Sequence, residues 1–220
     1  MKPLVIFGAG GQAREVAQIV ADLNQLHGNP WRLIGFLVDP GQAARVPRPL
    51  PAPVLGGAEW LLEHPEVQVV VAVGAPAGRR SVVQRLCAQQ PNVRFATLVH
   101  PRAWLASSAA LGEGSVVFAG VLVNANATIG KHANLNLAAT ISHDCEVGHF
   151  VSLGPGAHLA GGVTLGEGTD IGVGACLRPG VRVGANSVVG AGAAVVFDLP
   201  AQCTAFGVPA RVQARSNGRE

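Results

Sequence analysis

From Val99 to Val195, every sixth residue is Leu, Ile or Val, and the run of seventeen hexads has no exception. A period of six fits neither the 3.6 of an amphipathic helix nor the 2 of a half-buried strand. It fits a chain wound into a three-sided prism, in which each hexad makes one face and eighteen residues make one coil. Four residues after each apolar anchor comes a small or β-branched one, such as Ala133, Ala139, Cys145, Val151, Ala157 or Val163. Gly often follows the anchor directly, as at 112, 130, 148, 154, 166, 172, 184 and 190. The anchors are expected to fill the interior and the small residues the corners. With coils about 4.8 Å apart, five of them make a prism about 24 Å tall. The general preference for right-handed parallel crossovers would make the coil right-handed.

The first 98 residues follow a different rhythm. Pro3 to Phe7 reads as a buried strand, and Gly8-Ala9-Gly10-Gly11 turns it into a helix expected over about Ala13–Leu26, with Val16, Ile19, Val20 and Leu23 on one face. Further strands are expected at Trp31–Val38, Val67–Val73 and Arg94–Val99, a short helix at Ala58–His64, and a second long helix at Arg79–Gln90. A Pro-rich loop runs through Pro53, and Gly74-Ala75-Pro76 makes another turn. Strands alternating with helices predict a small parallel sheet, an α/β Rossmann-like unit over 1–98. The repeat domain then covers 99–200, and 201–220 is an exit segment and tail. Gly8-x-Gly10-x-x-Ala13 fits the dinucleotide fingerprint with Ala in place of the third Gly. Backbone amides at that helix start would favour a phosphate, although a tight turn without a ligand would carry the same residues. A dinucleotide site uses two such halves, so a mononucleotide is the better expectation here.

Composition narrows the function classes. Glycine is abundant at 29 residues, there is no Tyr, and charged residues make up 13%. The net charge of +3, with Arg211, Arg215 and Arg219 in the tail, implies a taste for anions but lacks the dense basic stripe of a nucleic-acid surface. No apolar run approaches the length of a membrane span, and the start has no signal-peptide pattern. Cys87, Cys145, Cys176 and Cys203 form no C-x-x-C pair, so reduced thiols in a cytoplasmic protein are expected.

Ser142-His143-Asp144-Cys145 is the hexad that carries chemistry. With eighteen residues per coil, His143 stacks between Ala125 and Gly161, small neighbours that leave space beside the imidazole, and Ser142 stacks on Asn124. A surface histidine without a role would read the same in isolation. The adjacent Asp144 favours a general base, because a carboxylate orients an imidazole at neutral pH. Cys145 falls on the small position of its hexad and reads as packing.

These residues together resemble, over essentially the full length, the hexapeptide-repeat sugar O-acyltransferase family. That family includes sialic acid O-acetyltransferases and the nucleotide-amino-sugar N-acetyltransferases of bacillosamine and perosamine synthesis. The matching segments are Gly8-Ala9-Gly10-Gly11, Phe36-Leu37-Val38-Asp39, Val73-Gly74, Asn136, Ser142 to Gly148, and Phe206-Gly207-Val208-Pro209-Ala210-Arg211. The resemblance implies a left-handed parallel β-helix, a homotrimer, and acetyl-coenzyme A bound between neighbouring prisms. It implies His143 as base, Asp144 as its orienting carboxylate and the Gly161 amide as oxyanion donor. It carries donor contacts to Gly161, Gly162 and Pro209-Ala210-Arg211, and contacts to a nucleotide-linked amino sugar to Gly8, Gly10, Gly11, Asp39, Gly74 and Asn136. Two positions depart from some members, which have histidine where this chain has Gln12 in the acceptor loop and Ser152 nine residues past the base. Ser152, or a water in its place, is then expected to substitute on the donor side.

The expected reaction is N-acetylation of the 4-amino group of a nucleotide-linked 4-amino-4,6-dideoxy sugar. The alternative is O-acetylation of a sugar or sialic acid. A zinc hydratase would need a histidine trio; His143 and His149 differ by six residues where the related β-helical carbonic anhydrases have five, so no metal is expected. A structural scaffold would not need the nucleotide-like domain.

Overall fold

The computed structural model describes residues 1–28, 30–45 and 49–213; Arg215, Arg219 and the middle of the Pro-rich loop lie outside these. Five parallel strands form the N-terminal sheet: β1 (Lys2–Phe7), β2 (Trp31–Leu37), β3 (Val54–Gly56), β4 (Gln68–Val71) and β5 (Arg94–Phe95), in the order β3-β2-β1-β4-β5. Alternation along β1 sorts its side chains between two cores. Leu4 and Ile6 pack with α1 (Gly11–His27), whereas Val5 and Phe7 pack with α2 (Pro76–Gln89) on the opposite face.

The helices begin earlier than their apolar patterns suggest. Helix α1 starts at the glycine turn itself, and α2 starts at Pro76, whose missing N–H is no loss at the first helical position. The segment at 58–63 is a 3-10 helix, as is Pro40–Arg45, which has no apolar period to reveal it. Strand β3 is a three-residue edge strand that the Pro-rich composition conceals. The last expected strand divides: Arg94–Phe95 completes the sheet, and Leu98–Val99 already pairs with Val116–Val117 as the first rung of the prism.

The prism is a left-handed parallel β-helix. Its three faces are ladders of two-residue strands in strict eighteen-residue register, as in Val123 with Ile141 and Ile141 with Leu159. Strands this short accumulate little of the twist that enforces right-handed crossovers in ordinary sheets. The small residues four past each anchor are not at the corners. From Ser115 to Ala193 they are buried beside the anchors, so each hexad sends two side chains inward. The corner is set one residue earlier: every sixth residue from Gly114 to Gly192 has φ between 55° and 74°. Eight of these are glycine, and Asn126, Asp144 and Asn186 are types that tolerate the left-handed region. His132, Ala138 and Phe150 occupy it at a cost of about 1–2 kcal/mol each.

The last coil is two residues short, since Val183 bridges Leu199 and Val188 pairs with Thr204. The exit strand Thr204–Phe206 then folds back antiparallel onto Arg211–Val212. One face, carrying Val116, Asn134 and Ser152 outward, is buried under the N-terminal unit. The next face carries Trp104 and Leu122 outward into solvent. No helix among the described residues is long and apolar enough to cross a membrane.

Candidate active site

The strand order reverses between β1 and β4, and a cavity of about 590 Å³ opens there, at the carboxyl ends of the strands. Gly8, Gly10, Gly11, Gln12, Asp39 and Gly74 all line it. Two of the glycines have a local reason. Gly8 sits at φ 113°, and a Cβ there would meet the Ala72 carbonyl oxygen at 2.9 Å. A Cβ on Gly74 would lie 2.7 Å from the Gln12 Oε1. Gly10 caps α1 with no side-chain bond, and the first turn holds no acidic residue, so the opening amides face the cavity unneutralised. They suit a phosphate. Asp39 is paired with Arg85, whose Nη2 lies 2.8 Å and 3.0 Å from the two carboxylate oxygens, and the Arg85 guanidinium also covers the Phe7 ring. Arg85, Ser81 and Gln42 line the cavity without any sequence motif to announce them. Arg85 falls on the polar positions of an otherwise ordinary helix.

The second constellation lies at a corner of the prism. Ile141 and Cys145 point inward and are fully buried, which leaves Ser142, His143 and Asp144 to make the turn. Asp144 has φ 58°, and its side chain turns back onto the histidine: Nδ1 of His143 and Oδ2 of Asp144 are 2.8 Å apart. The other carboxylate oxygen accepts from Asn126 Nδ2 at 3.1 Å, one coil below. These two bonds hold the Asp144 carboxyl below the usual carboxylate range, the histidine being the larger cause. An ionised carboxylate only accepts, so Nδ1 of the imidazole carries a proton, and in the neutral ring that leaves the lone pair on Nε2. That nitrogen lies over Gly161: a Cβ on Gly161 would be 2.6 Å from both Nε2 and Cε1 of His143. The Gly162 N–H donates to the His143 carbonyl at 2.9 Å, whereas the Gly161 N–H meets no backbone carbonyl among the described residues. Cys145 Sγ lies 3.2 Å from the Ala160 carbonyl, and burial pushes its thiol above the ordinary value.

Known proteins share this two-part fold. Residues 3–86 match the family model described as the PglD N-terminal domain. A search of curated protein sequences gives no match. Among solved structures, the acetyltransferase domain of PglB from Neisseria gonorrhoeae in complex with acetyl coenzyme A superposes with a TM-score of 0.86 at 36% identity, covering 96% of this chain and 99% of that one. PerB from Caulobacter crescentus in complex with CoA and GDP-perosamine gives a TM-score of 0.81 at 35% identity, with 96% and 97% covered. WeeI from Acinetobacter baumannii is similar at 25% identity and a TM-score of 0.81, over 96% and 99%.

The chain belongs to the hexapeptide-repeat sugar acyltransferase family.

Other expected site residues of the acyltransferase are dispersed over the prism. Asn136 stands outside the cavity, at the corner next to the exposed Leu137, where its Oδ1 accepts from the Leu137 N–H at 2.7 Å. Ala210 donates its N–H to the Ala194 carbonyl at 2.8 Å, and Arg211 lies over the Phe197 ring, so the Pro209-Ala210-Arg211 exit sits at the end of the face that starts with Trp104. Ser152 is buried beneath the N-terminal unit. Its hydroxyl donates to the Gly74 carbonyl at 2.9 Å and accepts from Arg79 at 3.0 Å. Among the described residues no three His, Cys, Asp or Glu side chains cluster as metal ligands would. His149 Nδ1 instead accepts from the Lys131 N–H, and His132 is packed between the Phe95 and Phe150 rings.

Proposed function

We propose that this acetyltransferase moves the acetyl group of acetyl-coenzyme A to the 4-amino group of a nucleotide-linked 4-amino-4,6-dideoxy sugar, with His143 as general base and no metal. One observation carries this reading: an Asp144-oriented imidazole whose Nε2 edge overhangs Gly161, in the same chain as a phosphate-suited cavity of nucleotide size. The PerB complex with CoA and GDP-perosamine supports the same pair of substrates.

The chemistry follows from the corner. The sugar amine attacks the thioester carbonyl carbon while Nε2 of His143 takes the proton that the nitrogen sheds. Asp144 stabilises the imidazolium that forms. The carbonyl oxygen becomes an oxyanion within reach of the Gly161 N–H, a fixed dipole that needs no reorganisation. Collapse breaks the carbon–sulfur bond, and the imidazolium returns its proton to the leaving thiolate. The nitrogen has then gained an acetyl group and coenzyme A leaves as the thiol.

Gly161 and Gly162 mark the reacting end of the donor and Pro209-Ala210-Arg211 its far end. Thr140 and Ala194 are three rungs apart on one face, about 14 Å, a path along which an extended pantetheine arm can lie. The cavity residues Gly8, Gly10, Gly11, Gln12, Asp39 and Gly74 take the nucleotide, and Asn136 faces the acceptor side. Ser152 we assign to the domain junction, because its hydroxyl is already engaged in both directions. A homotrimer completes the donor groove; Trp104, Leu122, Leu137 and Val173 are all large apolar side chains about half exposed on the single chain, on one face and its adjoining corner.

Release of coenzyme A thiol should be followed with acetyl-coenzyme A and a panel of GDP-linked and UDP-linked 4-amino-4,6-dideoxy sugars, with hydroxyl sugars and sialic acid alongside. Turnover confined to amino acceptors supports the proposal. Turnover confined to hydroxyl acceptors, or none with any acceptor, refutes it.

A further inference from the structure

The nucleotide cavity and the catalytic corner belong to two folding units, and the chemistry works only if their spacing is fixed. Arg80 with Glu167, Asp22 with His100 and Ser152 with Gly74 cross the junction, but Arg79 makes the most bonds across it. Arg79, on α2, is 2% exposed, and its guanidinium makes bonds in two directions. Toward the N-terminal unit, Nη1 donates to the carbonyls of Val73 and Gly74 at 2.7 and 2.8 Å, both residues of the cavity wall. Toward the prism, Nε donates to the His132 carbonyl at 2.8 Å, and Nη2 donates to the carbonyls of Phe150 and Val151 and to the Ser152 hydroxyl, at 2.9, 3.2 and 3.0 Å. Ser152 adds its own bond to Gly74. Every acceptor is neutral. A buried cation held by neutral oxygens, with only the Asp170 charge acting on it from nearby, is an expensive way to glue two surfaces, since apolar packing of the same volume serves stability as well. What a planar fork with fixed donor directions supplies is geometry.

We infer that Arg79 is a positioning residue that fixes the nucleotide cavity to the prism, so that affinity for the nucleotide is converted into placement of the sugar amine at the catalytic corner. This rests on the acetyltransferase reading above. The carbonyls at 132 and 150 to 151 flank the His143 hexad on consecutive coils. Remote binding energy is expressed in kcat, rather than only as a lower KM, when the bound handle is rigidly tied to the reacting group. A displacement of about 1 Å can cost about 10²-fold in rate.

The test compares two acceptors in the full-length protein: the preferred nucleotide amino sugar, and the same amino sugar as its 1-phosphate, which lacks the nucleoside. The quantity read is the ratio of their kcat/KM values in wild type, Arg79→Met and Arg79→Lys, with thermal unfolding measured alongside. The ratio should fall by about 10²-fold in Arg79→Met and by less in Arg79→Lys, while the KM for acetyl-coenzyme A stays unchanged. Loss of folded protein would lower both acceptors together and leave the ratio intact. Should Arg79→Met fail to fold, Arg79→Lys carries the same criterion, because it keeps the charge and loses the fork. A ratio unchanged within about threefold in a folded variant overturns the inference alone. Wild-type protein that acetylates neither acceptor overturns the acetyltransferase reading, and this inference with it.

Discussion

Replacing Gly161 by alanine should separate catalysis from stability. The backbone at Gly161 is not in the left-handed region, so alanine brings no torsional strain. Its methyl would nevertheless stand 2.6 Å from Nε2 and Cε1 of His143 and 3.3 Å from Cδ2. Contact between such atoms is comfortable only from about 3.5 Å, so the imidazole must retreat by about 1 Å. It can do so cheaply, because the His143 side chain is 64% exposed and moves into solvent. The retreat pulls Nδ1 away from Asp144 and the Nε2 edge away from Gly161, the two relations on which the proposed base depends. Surface changes of this kind alter stability by about 0.5 kcal/mol. A misplacement of about 1 Å costs about 10²-fold in rate, or about 2.7 kcal/mol of transition-state stabilisation. Thermal unfolding of Gly161→Ala should thus match wild type within a degree or two, while kcat with saturating acetyl-coenzyme A and amino sugar falls about 10²-fold. Activity within about threefold of wild type would refute the placement of the imidazole over this glycine.

Two further outcomes follow from buried groups. Burial, reinforced by the Arg79 charge, pushes the His132 imidazole down from 6.5 to about 4, so the unfolded chain binds more protons between those values. Stability supplied by neutral His132 is complete above pH 6.5 and is lost as pH falls toward 4, by about 3 kcal/mol. Urea midpoints at pH 7 and pH 4.5 should diverge less in His132→Asn, whose residue suits the left-handed position at φ 56°; an equal divergence would contradict this origin. Cys145→Ala should keep wild-type kcat and lose about 1 kcal/mol of stability, as expected for a packed thiol. A folded Cys145→Ala protein without turnover would point to a covalent acyl-thiol route instead.

The prism was legible because its signal is redundant: the anchors Ile141, Val147 and Leu153 repeat a rule that fourteen other positions also obey. Register followed from it, so the approach of Gly161 to His143 could be read from a separation of eighteen residues before any geometry was known. Handedness and the corners could not, since left-handed φ at Ala138 or Phe150 leaves no compositional mark. The cavity was legible through its glycines, of which Gly8 lies close against the Ala72 carbonyl and Gly74 against the Gln12 side chain, but not through Arg85 or Ser81, whose helical positions look like any solvated face. Arg79 is the clearest case of what sequence conceals. In the chain it is one of two adjacent arginines; only the docking of α2 on the prism shows that Arg79 is buried against carbonyls while Arg80 pairs with Glu167. Ser152 was misleading for the same reason. Its position in the repeat says which face it occupies, not which domain covers that face.

The proposed role of an Asp144-held His143 as the base in direct acetyl transfer is tested most directly by His143→Ala, with binding and turnover measured on the same preparation. Acetyl-coenzyme A and the nucleotide amino sugar should bind with unchanged affinity by calorimetry while kcat falls by about 10²–10⁴-fold, the usual worth of a positioned general base. Unchanged kcat in His143→Ala, with both substrates bound, would contradict the account.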